Sequence, residues 1–95
     1  MLLNCFQSKL YNKGDKMLII AHRVNTINEL NKIPRKYGVE IDIRAMGNRL
    51  ILNHGPFEDG ENLEDYLKHF NHKFIIFNIK ETGIENKVIE LAKKF

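Results

Sequence analysis

At 95 residues the chain amounts to one small domain or a piece of a larger one, and its 43% apolar and 28% charged residues are those of a folding protein, not a disordered one. The net charge of +3 is spread over scattered basic residues, among them Lys9, Lys32, Arg35, Lys73 and Lys93, so a nucleic-acid footprint is not expected. A single cysteine, Cys5, excludes an internal disulfide; no apolar run reaches the roughly 20 residues of a membrane span, and the N-terminus lacks the parts of a signal peptide, so the chain reads as cytoplasmic.

Residues 1–16, "MLLNCFQSKLYNKGDK", keep no sustained period, and "YNKGDK" has turn composition. They read as an N-terminal extension, poorly ordered or loosely docked, ahead of a domain over 17–95. "MLIIAHR" is then a continuous apolar run, as expected of a parallel strand covered on both faces. "TINELNKIPRKYG" predicts a helix, with a capping box of Thr26 and Glu29 at its start and Gly38 past its end. Ile27, Leu30 and Ile33 supply its inner stripe, and Pro34 should bend or stop it.

"VEIDIRA" alternates and predicts a second strand. "MGNRLILNHG" predicts a hairpin that turns at Gly47 and Asn48 and returns through "RLILNH". "PFEDGEN" reads as a loop. "LEDYLKHF" predicts a helix on Leu63, Tyr66, Leu67 and Phe70, and "KFIIFNIK" a third apolar strand. "TGIENKVIELAKKF" predicts a last helix, with Thr82 and Glu85 as a second capping box and Ile84, Val88 and Leu91 facing inward. The alternation of strands and helices implies an α/β layer with parallel main strands. Three such strands leave an apolar edge without a partner, which suits either the opening of a larger fold or pairing with a second copy.

Groups capable of chemistry fall at the C-terminal ends of these strands, where parallel α/β folds bind ligands. The first strand ends in His22 and Arg23, the second carries Glu40 and Asp42, the hairpin returns to His54, and the third ends in Asn78 and Lys80. Side chains two apart on a strand share a face, so "EID" aims two carboxylates together. Such a pair repels itself unless it shares a proton or a cation, and oxygen donors suit Mg²⁺ or Ca²⁺. His22 and His54 could serve as general base and general acid, and Arg23 and Lys80 could neutralise a phosphate. Taken singly, each has an ordinary reading as well: a structural histidine, a solvated acidic face, or surface charge.

Taken in order, "IIAHR", "NT", "GVEIDIR" and "RLILNHG" resemble the start of the glycerophosphodiester phosphodiesterases, a family of phospholipase-C-like (β/α)8 TIM barrels. The resemblance spans residues 18–80. It implies that the chain supplies the first three βα units of such a barrel, truncated, with a β-hairpin after the second strand. It also implies a hydrolase of lipid metabolism that cleaves a small phosphodiester to glycerol phosphate and an alcohol. In that likeness His22 and His54 would be the catalytic acid/base pair, and Arg23 and Lys80 would hold the phosphate. Glu40 and Asp42 would bind the divalent cation, with Asn78 standing where the family carries a glutamate. Asn25 and Thr26 match the end of the family's helix-start motif. The family's glycine after His-Arg is absent, and Gly55 follows His54 where the family has aspartate. Two other readings fit the same residues: a catalytically silent α/β fragment, or a subunit that associates through its open sheet edges. A nucleotide-binding module lacks a glycine-rich phosphate loop.

Overall fold

The computed structural model describes residues 7–13 and 16–95, with side chains from Ile19 onward. Among the described residues, six strands form one open sheet: β1 (Gln7–Lys13), β2 (Lys16–His22), β3 (Gly38–Met46), β4 (Arg49–Leu52), β5 (Glu61–Asn62) and β6 (Ile75–Ile79). The helices α1 (Ile27–Lys32), α2 (Leu63–His69) and α3 (Glu85–Ala92) connect or follow them. The fold is mixed α/β.

The three apolar runs form the parallel centre. β2 joins β3 through Ile20↔Gly38 and Ala21↔Val39, and β6 joins β3 from Val39↔Ile75 to Ile43↔Ile79. Odd-numbered β3 residues Val39, Ile41 and Ile43 are fully buried. They share one core with Leu30 and Ile33 of the α1 region, Leu63, Tyr66 and Leu67 of α2, and Ile84 and Val88 at α3. All three helices therefore cover the same face of the sheet. The even-numbered residues Glu40, Asp42 and Arg44 stand on the opposite face, as period-2 alternation requires.

The Gly47-Asn48 turn forms as expected, with Met46 opposite Arg49. Gly47 has φ 62 and Asn48 has negative φ, the pattern of a two-residue turn that puts glycine first. Thr26 caps α1: its hydroxyl accepts from the Glu29 N–H at 3.1 Å and donates to Glu29 Oε1 at 3.0 Å.

α1 stops at Lys32, as expected of Pro34, which has no N–H to continue the ladder; Ile33 closes it by bonding Leu30 O. Three expectations need correction. Thr82 does not cap α3. The N-cap is Ile84, without a side-chain bond, and Glu85 reaches back to the Gly83 N–H at 2.8 Å. The last two residues of "PFEDGEN" leave the loop to pair with β4. Gln7–Lys13, read as part of a loose extension, lie antiparallel to β2 in continuous register from Gln7↔His22 to Lys13↔Lys16. Backbone groups make that pairing, and a backbone ladder needs no hydrophobic period. Residues 1–6 and 14–15 of the expected extension lie outside the described residues.

Candidate functional site

β3 is longer than either neighbour on one of its edges, and the handover between them builds the site. β2 pairs with the start of β3 and β4 with its end. Between them, the Val24 N–H donates to Glu40 O at 3.0 Å and the Asn53 N–H to Asp42 O at 3.1 Å. The loop after β2 and the loop after β4 are thereby moored two residues apart on one strand, beside the two carboxylates.

His22, the last residue of β2, meets Glu40, with Nδ1 3.0 Å from Oε1. The side chains are only 15% and 20% exposed. With Nδ1–H donating to the carboxylate, the lone pair resides on Nε2, which is buried and has no hydrogen-bond partner among the described residues. Arg23 follows with φ 55, a left-handed backbone that costs a non-glycine residue about 1 kcal/mol and turns the chain sharply at the strand end. The Arg23 side chain is exposed.

Asp42 is the hub. It is 1% exposed, so its charge depends on protein partners and not on water. The Asn25 amide clasps it twice: Nδ2 donates to Asp42 Oδ2 at 3.0 Å, and the Asp42 N–H donates to Asn25 Oδ1 at 2.9 Å. His54 Nδ1 lies 3.7 Å from Oδ2, and Lys80 Nζ 3.6 Å from Oδ1. Asn78 sits directly opposite Asp42 in the β3–β6 register. The structure thus gathers His54, Asp42 and Lys80 at one carboxylate and places His22 on the other, Glu40, two residues back along β3. Asn78 adjoins them by register, and among the described residues its side chain makes no hydrogen bond.

A cleft of about 540 Å³ opens beside this cluster, bordered by Arg23, Asn25, Asn53, His54, Asp59 and Glu61. Glu61 also closes the first turn of α1, accepting the Ile27 N–H at 2.7 Å. Beneath it, Tyr66 of α2 donates its hydroxyl to Val24 O at 2.6 Å and so ties the helix layer to the strand-end loop. Burial, with the nearby carboxylates of Glu29 and Glu61 adding to it, pushes the Tyr66 phenol well above its ordinary range.

Among the described residues, no three His, Cys, Asp or Glu side chains converge as a ready metal cage. Glu40 and Asp42 are oxygen donors of the kind hard cations take, yet each already faces a basic side chain.

No family model, curated protein or solved structure matches this chain. The likeness noted from its motifs therefore rests on the residues themselves and on the cluster they form.

Several contributors to the cluster carry no motif signal. Arg44 donates from Nε to Asn53 O at 3.2 Å and from its terminal nitrogen to His54 O at 2.8 Å. Asn53 accepts the Gly55 N–H at 2.9 Å and donates to Asp59 O at 2.9 Å, folding the turn after β4 onto itself. An asparagine followed two residues later by glycine is a turn signal, so this piece was open to sequence reading. Arg44, Glu61 and Tyr66 act across 9 to 42 residues of chain, where no local pattern reaches. Among the described residues, no helix is long and apolar enough to cross a membrane.

Proposed function

We propose that the chain forms the opening βα units of a phospholipase-C-like barrel of the glycerophosphodiester phosphodiesterase type, and that its work is acid/base cleavage of a small phosphodiester. The observation that carries this reading is the meeting of His22, Glu40, Asp42, His54 and Lys80 at one end of three parallel strands. The parallel order β2, β3, β6 follows chain order, as the start of such a barrel requires.

In this reading His22, held by Glu40, takes a proton at Nε2 from the attacking hydroxyl. His54, on the other side of Asp42, returns one to the leaving oxygen. Arg23, turned into the cleft mouth by its left-handed backbone, binds phosphate oxygens through its guanidinium fork, and Lys80 adds a point charge. A divalent cation, Mg²⁺ or Ca²⁺, would be held by Glu40 and Asp42 with Asn78 beside them, and would supply charge stabilisation for the phosphoryl oxygens. Because Lys80 and His54 stand at the Asp42 oxygens, the cation would share that carboxylate with them.

The test is hydrolysis of bis(4-nitrophenyl) phosphate and of a glycerophosphodiester by the chain with Mg²⁺, with Ca²⁺ and with a chelator. Cation-dependent turnover that disappears in His22→Ala supports the proposal. Equal turnover in His22→Ala and the parent chain overturns it.

A second reading has its own observation. Among the described residues β6 pairs with β3 alone, so its other backbone edge, Ile75–Ile79, is open. β1 covers the corresponding edge of β2. A catalytically silent chain that joins a second copy along β6 would satisfy those groups. Size-exclusion chromatography separates the two: a concentration-dependent dimer without hydrolysis favours this reading, and an active monomer removes it.

A further inference from the structure

We propose that Arg44 is a positioning residue for His54; this rests on the reading of His54 as an acid/base group. β3 grips that histidine from both sides. Asp42 faces its ring, with His54 Nδ1 3.7 Å from Oδ2. Arg44, two residues on and on the same face of the strand, holds its backbone, donating at 2.8 Å to His54 O and at 3.2 Å to Asn53 O.

His54 needs this support. β4 ends at Leu52, so Asn53 and His54 lie beyond the sheet ladder. Asn53 keeps one backbone bond to β3, from its N–H to Asp42 O, and among the described residues none of the backbone bonds outside the helices and strands goes to a donor or acceptor of His54. The ring is 48% exposed, so packing does not fix it. A planar guanidinium reaching two successive carbonyls sets the direction of the chain there, which a single ammonium cannot do. Arg49 moors the far end of the same loop through Asp59, Gly60 and Asn62, and leaves 55–58 between the two anchors. Displacement of a reacting group by about 1 Å costs on the order of a hundredfold in rate, so the anchor nearer His54 controls turnover.

The experiment compares the full chain with Arg44→Ala and Arg44→Lys. Turnover of bis(4-nitrophenyl) phosphate with Mg²⁺ and residue-resolved amide exchange are measured on each. We expect Arg44→Ala to lower kcat by roughly ten- to a hundredfold at nearly constant KM. Guanidinium added to the alanine variant restores part of the loss, and Arg44→Lys, whose single ammonium cannot hold both carbonyls, does not. Exchange at Gly55, whose N–H reports on the Asn53 turn, accelerates, and exchange at Lys80, bonded to Ile43 O in the sheet, does not. Unchanged kcat in Arg44→Ala, or a loss matched by equal deprotection of Lys80, overturns the proposal. If the parent chain shows no hydrolysis, the phosphodiesterase reading fails by itself. The exchange contrast between Gly55 and Lys80 still decides whether Arg44 positions the His54 turn: selective acceleration supports it, and uniform change or none refutes it. If the alanine variant does not fold, the lysine variant is judged by the same contrast.

Discussion

Replacing Tyr66 with phenylalanine tests how the helix layer holds the strand-end loop. The tyrosine is wholly buried, Val24 is 2% exposed, and the 2.6 Å bond between hydroxyl and carbonyl joins positions 42 residues apart. Phenylalanine keeps the ring, so no cavity opens; what is lost is the bond, and the Val24 carbonyl is left buried without it. That costs about 1–2 kcal/mol at neutral pH, and a domain of this size loses roughly 4–8 °C of Tm per kcal/mol. The sign of the pH dependence follows from the raised phenol. Folded chain keeps the Tyr66 proton at pH values where unfolded chain, with its ordinary value near 10, releases it. The native state thus binds more protons, and stability falls as pH rises from about 10 upward. Phenylalanine has no proton to lose. Thermal unfolding followed by circular dichroism at pH 7 and pH 11 should therefore show the tyrosine form ahead at pH 7 and its lead shrinking at pH 11. Groups common to both proteins, the lysines among them, cancel in that comparison. A phenylalanine variant within 1 °C of the parent at pH 7, or parallel losses for the two on going to pH 11, would refute the reasoning.

Other residues give independent checks. Asp42→Asn keeps the volume but deprives Lys80 and His54 of a buried counter-charge; both partners can reach water, so the expected cost is about 2 kcal/mol in urea unfolding, and an unchanged midpoint would contradict the role of Asp42 as hub. Glu61→Ala removes the acceptor of the Ile27 N–H and should destabilise α1 by about 1 kcal/mol, seen as faster exchange at that amide and not at Leu30. In Gly60→Ala the new methyl group would fall on the Leu52 carbonyl oxygen, so β5 must shift away from β4; an expected cost of about 1–3 kcal/mol is read from Tm, and wild-type stability would show that the approach is not tight.

The parallel centre was legible because apolar runs bounded by caps and turns are local signals. "MLIIAHR", "VEIDIRA" and "KFIIFNIK" became β2, β3 and β6, and the Thr26 cap and Gly47 turn formed where their residue types demand. β1 was missed because what holds it is main-chain pairing, which leaves no mark on side-chain periodicity. α1 was legible at both ends, since Thr26 caps it and Pro34 lacks the N–H to prolong it. In the site, "EID" correctly put Glu40 and Asp42 on one face, since that follows from strand geometry alone. It did not tell that each carboxylate would meet a different histidine, or that Asn25 would clasp Asp42 from 17 residues away. Those contacts depend on where β2 hands the edge of β3 to β4, a matter of register between distant segments.

That handover makes the two loops keep time with each other. Val24 and Asn53 hang from carbonyls of Glu40 and Asp42, like two cars coupled to the same rail, so neither loop can slide along β3 without dragging a carboxylate's own backbone with it. Insertions and deletions are best absorbed at the opposite end of the strands, around 34–36, where the chain turns between α1 and β3 through exposed residues.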